Sequence, residues 1–189
     1  FMEHAAPEGS GAMSAVLGMD AAVIEDVLNG REGVSIANYN CPGQIVITGE
    51  ADAVAEAGTV LKEAGARRVL PLKVSGPFHS PMMRPAGEEL AKVFARVSMN
   101  PLKIPYVANI NAEVITDCGR IEGLLVEQVS GSVRWQQSVE TMIREGVDTF
   151  VEIGPGKTLT GFLRKIDKNV KAYHIGSWEE AVQVCEELK

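Results

Sequence analysis

Few groups in this chain could carry acid–base or nucleophilic chemistry: three histidines, three cysteines and a scatter of serines among 189 residues. His79 has the most suggestive setting, the stretch VSGPFHSP over residues 74–81. It reads as the end of a strand, a Gly-Pro turn, a Phe-His pair, then Ser80 and Pro81 opening a helix. Serine is a favoured N-cap and proline a favoured first helical residue. A histidine just ahead of such a helix faces the positive end of its dipole, which disfavours imidazolium. A neutral imidazole is what a general base requires. The competing reading is a half-buried histidine that packs on its loop. His4, near the start, and His174, closing an expected strand, favour that reading more strongly.

Gln128 interrupts an otherwise apolar helical stripe of Ile121, Leu124 and Leu125, so its amide or its carbonyl near the helix end faces inward. The segment EIGPGKT (152–158) follows an expected strand and opens a helix, the context of a phosphate loop. That motif requires glycine at position 151, which is Val151, so a tight strand-to-helix turn is the favoured reading. A bare helix N-terminus that accepts an anion is the other. None of Ser10, Ser14, Ser75, Ser130 and Ser132 sits in a G-x-S-x-G setting. Cys41, in NYNCPGQ, is the one thiol on a loop-like segment, where a Cys-His arrangement with His79 is conceivable; a structural cysteine is the commoner case. The histidines and cysteines lack metal-ligand spacing, so no metal site is expected.

Two groups of elements must position these residues. Residues 10–74 alternate as βαββαβ, the order of a ferredoxin-like module. Its second helix carries Val54, Ala57, Leu61 and Ala64 on one face at helical spacing. Residues 75–189 are mostly helical, with apolar stripes such as Ala86, Leu90, Val93, Phe94 and Val97. Strands expected at 104–110, 148–153 and 170–175 alternate with those helices, as in an open α/β sheet. Hydrophobic residues make up 46% and charged residues 23%, enough to bury a sizeable core. A net charge of −7 argues against general nucleic-acid binding. No apolar run approaches the roughly 20 residues of a membrane span. Three cysteines without a C-x-x-C pair suit a reducing cytoplasm. The first residue, Phe1, is not an initiator, and the expectation is a fragment.

Taken in order, PEGSGAMSAVLG, ANYNCPGQIVITG, LPLKVSGPFHSPMM, IPYVANI, VEQVSGSVRW and DTFVEIGPGKTLTGFLRK resemble the C-terminal two-thirds of the bacterial malonyl-CoA:acyl-carrier-protein transacylases of fatty-acid synthesis. The resemblance implies an α/β fold: part of an α/β-hydrolase-like core with an inserted ferredoxin-like subdomain. Residues 1–9 would close a helix and connection of the large domain, 10–74 would form the small subdomain, and 75–189 the rest of the large one. The implied reaction moves malonyl from coenzyme A to acyl carrier protein through a serine ester, with no cofactor beyond the phosphopantetheine on the partner. His79 matches the family's general base, and Gln128 the residue whose main-chain carbonyl orients it. Phe78 matches a position associated with malonyl preference, and Asn38 and Asn40 match a strand beside the cleft.

The elbow serine, an oxyanion-loop glutamine and the arginine that pairs with the malonyl carboxylate have no counterpart here. The chain alone is therefore expected to be inactive and to need its complementary N-terminal part. The alternative is a non-catalytic domain that binds coenzyme A, carrier protein or another chain. Docking an acidic carrier protein would call on Arg67, Arg68 and Lys73, or on Lys157, Arg164, Lys165 and Lys168, which otherwise read as solvated surface charge.

Overall fold

A computed structural model describes residues 1–74 and 76–188; Ser75 and Lys189 lie outside the described residues. The first group of elements runs β1 (Gly11–Leu17), α1 (Ala21–Leu28), β2 (Val34–Cys41), β3 (Gln44–Glu50), α2 (Ala51–Glu63) and β4 (Arg68–Pro71). All three pairings are antiparallel and the strand order is β2-β3-β1-β4. Alternation along the strands divides the sheet's residues between two faces. Val16, Ile36, Ile45, Ile47 and Val69 face α1 and α2, meeting Ile24, Val54, Ala57 and Leu61 in one buried cluster. Burial of each large side chain there contributes about 1.5–3 kcal/mol. Ala64, expected on the buried face of α2, is the exposed C-cap, because the helix stops one residue earlier. The opposite sheet face is made of smaller groups, Met13, Ala15, Ala37 and Val46, with Phe78 packed against them.

The second group runs α3 (Arg84–Phe94), β5 (Tyr106–Val107), β6 (Val114–Ile115), α4 (Ile121–Ser130), α5 (Trp135–Arg144), β7 (Thr149–Ile153), α6 (Thr158–Ile166), β8 (Lys171–Ile175) and α7 (Trp178–Glu187). β7 and β8 pair in parallel, as the alternation with helices implied. The strand expected over 104–110 is not part of that sheet. Only Tyr106 and Val107 are extended, and they pair antiparallel with Val114 and Ile115. Pro105 has no N–H to give to a ladder, and a turn in which Ala112 N–H donates to Ala108 O (2.8 Å) folds the chain straight back, leaving Ile104 77% exposed. The apolar stripe of α3 is likewise only half covered. Ala86 is buried, but Val93 is exposed, and Val97 lies exposed beyond the helix end. Among the described residues no helix is long and apolar enough to cross a membrane.

The two groups are sewn together at the edge of β2. Val133 N–H donates to Ala37 O (2.7 Å), and Tyr39 N–H donates to Val133 O (2.9 Å), a parallel bridge opposite Asn38. Ser132 Oγ donates to Ile36 O at 2.6 Å. β2 is irregular between Ile36 and Asn38, where its register with β3 shifts.

Candidate active site

His79 stands on a short corner held from several sides. Ser80, fully buried, donates through Oγ to Pro77 O (2.6 Å) and accepts from Met82 N–H (3.3 Å), capping a 3-10 turn, Pro81–Met83, that runs into α3. Pro77 and Met83 are buried, and the Phe78 ring lies on the small-residue face of the first sheet. Between these anchors the His79 backbone takes φ +59°, the left-handed region that a non-glycine residue enters at a cost of about 1–2 kcal/mol. Such strain persists where the surroundings over-determine it.

The half-buried imidazole reaches α4. That helix ends at Ser130 because Gly131 is extended, so the Gln128 carbonyl belongs to the last turn and has no intrahelical N–H to accept from. It lies 3.1 Å from His79 Nδ1. A carbonyl can only accept, so Nδ1 carries the hydrogen and the lone pair is left on Nε2. The Gln128 side chain ties down the same turn, its Nε2 donating to Gly131 O at 2.9 Å. The negative end of the α4 dipole therefore faces the ring.

Asn38 and Asn40 are half-buried on β2, with Asn38 at the irregularity opposite Val133. The bridge through residues 131–133 joins that strand to the turn carrying the Gln128 carbonyl. Neighbouring Tyr39 donates through Oη to Glu25 Oε1 (2.7 Å) with the Arg134 guanidinium 5.7 Å from its ring centre. Burial, then the Glu25 carboxylate, push the Tyr39 phenol up to about 12, so it stays a donor. A single parallel bridge leaves no periodicity, so nothing in the residue pattern marks this seam.

Cys41 is not on a loop: it is the last residue of β2 and fully buried, and burial pushes its thiol up, with Lys165 opposing, which is the wrong direction for a nucleophile. After EIGPGKT, two of the first-turn amides of α6, those of Leu159 and Thr160, are already occupied. Glu152, on β7, accepts from Leu159 N–H (3.1 Å), Thr160 N–H (2.7 Å) and Thr160 Oγ1 (2.6 Å). Partial burial, the largest single influence, raises the Glu152 carboxyl, but those hydrogen bonds and nearby His174 outweigh it and hold the group below its usual range. A carboxyl depressed in the folded state stabilises the fold above its unfolded pKa and loses that contribution as pH falls through the folded one. Glu152→Gln should accordingly cost about 1 kcal/mol at neutral pH. The difference should vanish well below the ordinary carboxylate pKa of about 4. Urea unfolding of both proteins at the two pH values is the check.

His174 is a structural tie: its Nε2–H donates to Gly154 O at 2.9 Å. The seven basic residues considered for docking are exposed. A groove of about 370 Å³ runs over β7, lined by Trp135, Val139, Phe150, Ile153, Leu159 and Tyr173 among others. No strand pairs with the second edge of β7 among the described residues, and Ile153 is 78% exposed.

Residues 1–184 match the family described as acyl transferase domain. The chain is 43% identical to malonyl CoA-acyl carrier protein transacylase of Bacillus subtilis (strain 168), aligned over 100% of this chain and 61% of that protein. It is 44% identical to the protein of the same name from Escherichia coli (strain K12), over 88% and 55%. Among solved structures, acyl-carrier-protein-S-malonyltransferase from Bartonella henselae superposes with a TM-score of 0.94 at 40% identity, covering 99% of this chain and 60% of that one. A type II PKS acyl-carrier protein in complex with its malonyl-transacylase gives 0.91 at 37% identity, over 98% and 61%. The chain thus spans between 55% and 61% of the length of these two curated relatives.

Proposed function

The chain belongs to the acyl transferase domain family, and from that premise we propose that it supplies the general base of a malonyl-CoA:acyl-carrier-protein transacylase. The carrying observation is the His79 Nδ1–H bond to the Gln128 carbonyl, which leaves the Nε2 lone pair available. In this reading Nε2 takes the proton of a serine hydroxyl as its oxygen attacks the malonyl thioester. The ring then returns that proton to the departing coenzyme A thiolate, and the second half-reaction repeats the exchange with the carrier-protein thiol. His79 and Gln128 are the catalytic pair, Phe78 limits the acyl group, and Asn38 and Asn40 line the cleft. No cofactor takes part; phosphopantetheine arrives on the partner.

The serine lies outside this chain in the same proposal, so the chain alone is inactive. Its complement is an N-terminal part that contributes strands beside the free edge of β7 and covers the groove there. Residues 10–74 then form the ferredoxin-like subdomain inserted in an α/β-hydrolase-like core, and the carrier protein docks on one of the exposed basic groups.

The test is intact mass after exposure to malonyl-CoA, with the chain alone and with a separately expressed segment bearing the elbow serine. We expect the second segment to gain a malonyl group only when this chain is present. If neither polypeptide is labelled, a non-catalytic binding domain replaces the transacylase. If this chain is labelled, the nucleophile lies within it.

A further inference from the structure

We propose that Gly11 is a positioning residue for His79, acting through the ring of Pro77; this deepens the reading of His79 as the base and rests on it. A Cβ built on Gly11 would lie 2.3 Å from Pro77 Cγ, 2.4 Å from Cδ and 2.6 Å from Cβ. The missing side chain at the first residue of β1 is thus the seat of the proline ring. A flexible side chain could swing out of such a contact. Pro77 is fully buried and its ring is closed on its own backbone nitrogen, so it cannot yield without moving the main chain.

Any such movement reaches the base directly. Pro77 O holds Ser80 Oγ at 2.6 Å, and the two residues between them are Phe78, packed on the sheet, and His79, with its left-handed backbone. At 3.1 Å the contact from His79 Nδ1 to Gln128 O is already near the long end of the hydrogen-bonding range, about 2.7–3.2 Å, so it tolerates little displacement. Gly11 therefore sets the proton-bearing nitrogen of a ring it does not touch. Bulk at residue 11 costs the base its orientation.

Long-range proton–nitrogen NMR of the imidazole, on this chain at mildly alkaline pH, reads the effect without requiring acyl transfer. The parent should show His79 in one tautomer, with hydrogen on Nδ1. Gly11→Ala should lose it, the Nδ1 and Nε2 resonances moving toward each other as the two tautomers average. Gly123→Ala, where the new Cβ meets nothing within 4 Å among the described residues, should leave both in place. Pro77→Ala, which removes the ring and leaves Gly11 intact, should shift them as Gly11→Ala does. A folded Gly11→Ala protein with an unchanged His79 tautomer overturns the inference. Should that variant not fold, an unchanged tautomer in Pro77→Ala overturns it equally. Loss of acyl transfer plays no part in this readout, so a failure of the transacylase reading would appear separately, in the mass experiment.

Discussion

In the proposed transfer, His79→Asn should reduce malonylation of the complementary segment's serine by about 10²–10⁴-fold, the usual contribution of a positioned general base, while changing stability by less than about 1 kcal/mol. The two effects separate because the residue is strained. Removal of the imidazole gives up its hydrogen bond to the Gln128 carbonyl. Asparagine is among the residues that enter the left-handed region most readily, because its short polar side chain can hydrogen-bond locally, and its ease at φ +59° offsets part of that loss. His79→Ala should be as inactive yet less stable than His79→Asn, since alanine keeps the strain and also lacks the bond. Labelling rates and urea midpoints of the three proteins test the ranking. If His79→Asn labels the serine at the parental rate, His79 is not the base, whatever its geometry.

The largest loss of stability is expected at Gly49. A Cβ there would lie 1.9 Å from the carbonyl oxygen of Gly33, 2.9 Å from its carbon and 3.0 Å from Val34 Cα, and the backbone has φ +147°. All three obstacles are main chain, so no rotamer relieves them. Since Gly49 pairs with Val34, Gly49→Ala must prise β3 from β2 at the start of their ladder. We expect a cost of about 3 kcal/mol or more, at the upper end for overpacking. Urea unfolding decides it, and an unshifted midpoint would mean that the two strands can separate there freely.

The parts of this fold that could be read from sequence are those in which one residue pattern answers one local constraint. The alternation of β1 to β4 with two amphipathic helices leaves little choice of order, and the antiparallel pairing follows. At the His79 corner the capping serine and the first-turn proline were legible, although they open a 3-10 turn ahead of α3, and the strand expected to reach residue 74 stops at Pro71. The segment IPYVANI misled because its composition suits a long strand, while Pro105 and the turn at Ala112 limit its pairing to Tyr106 and Val107 with the chain folded back on them. Gln128 was ambiguous for a different reason. The atom that meets His79 is a main-chain carbonyl, which every residue possesses, so only the place where α4 ends selects it. The seam of Ser132 and Val133 with β2 joins positions almost a hundred residues apart through two main-chain bonds and one serine hydroxyl, too little for a periodic pattern to record.

The carboxylate of Glu152 at the head of α6 makes that helix end an occupied receptor. A free phosphate would have to compete with an anion carried on the same chain, at an effective concentration in the millimolar range or above. The glycines and lysine of EIGPGKT thus advertise a ligand that the adjoining strand has already provided.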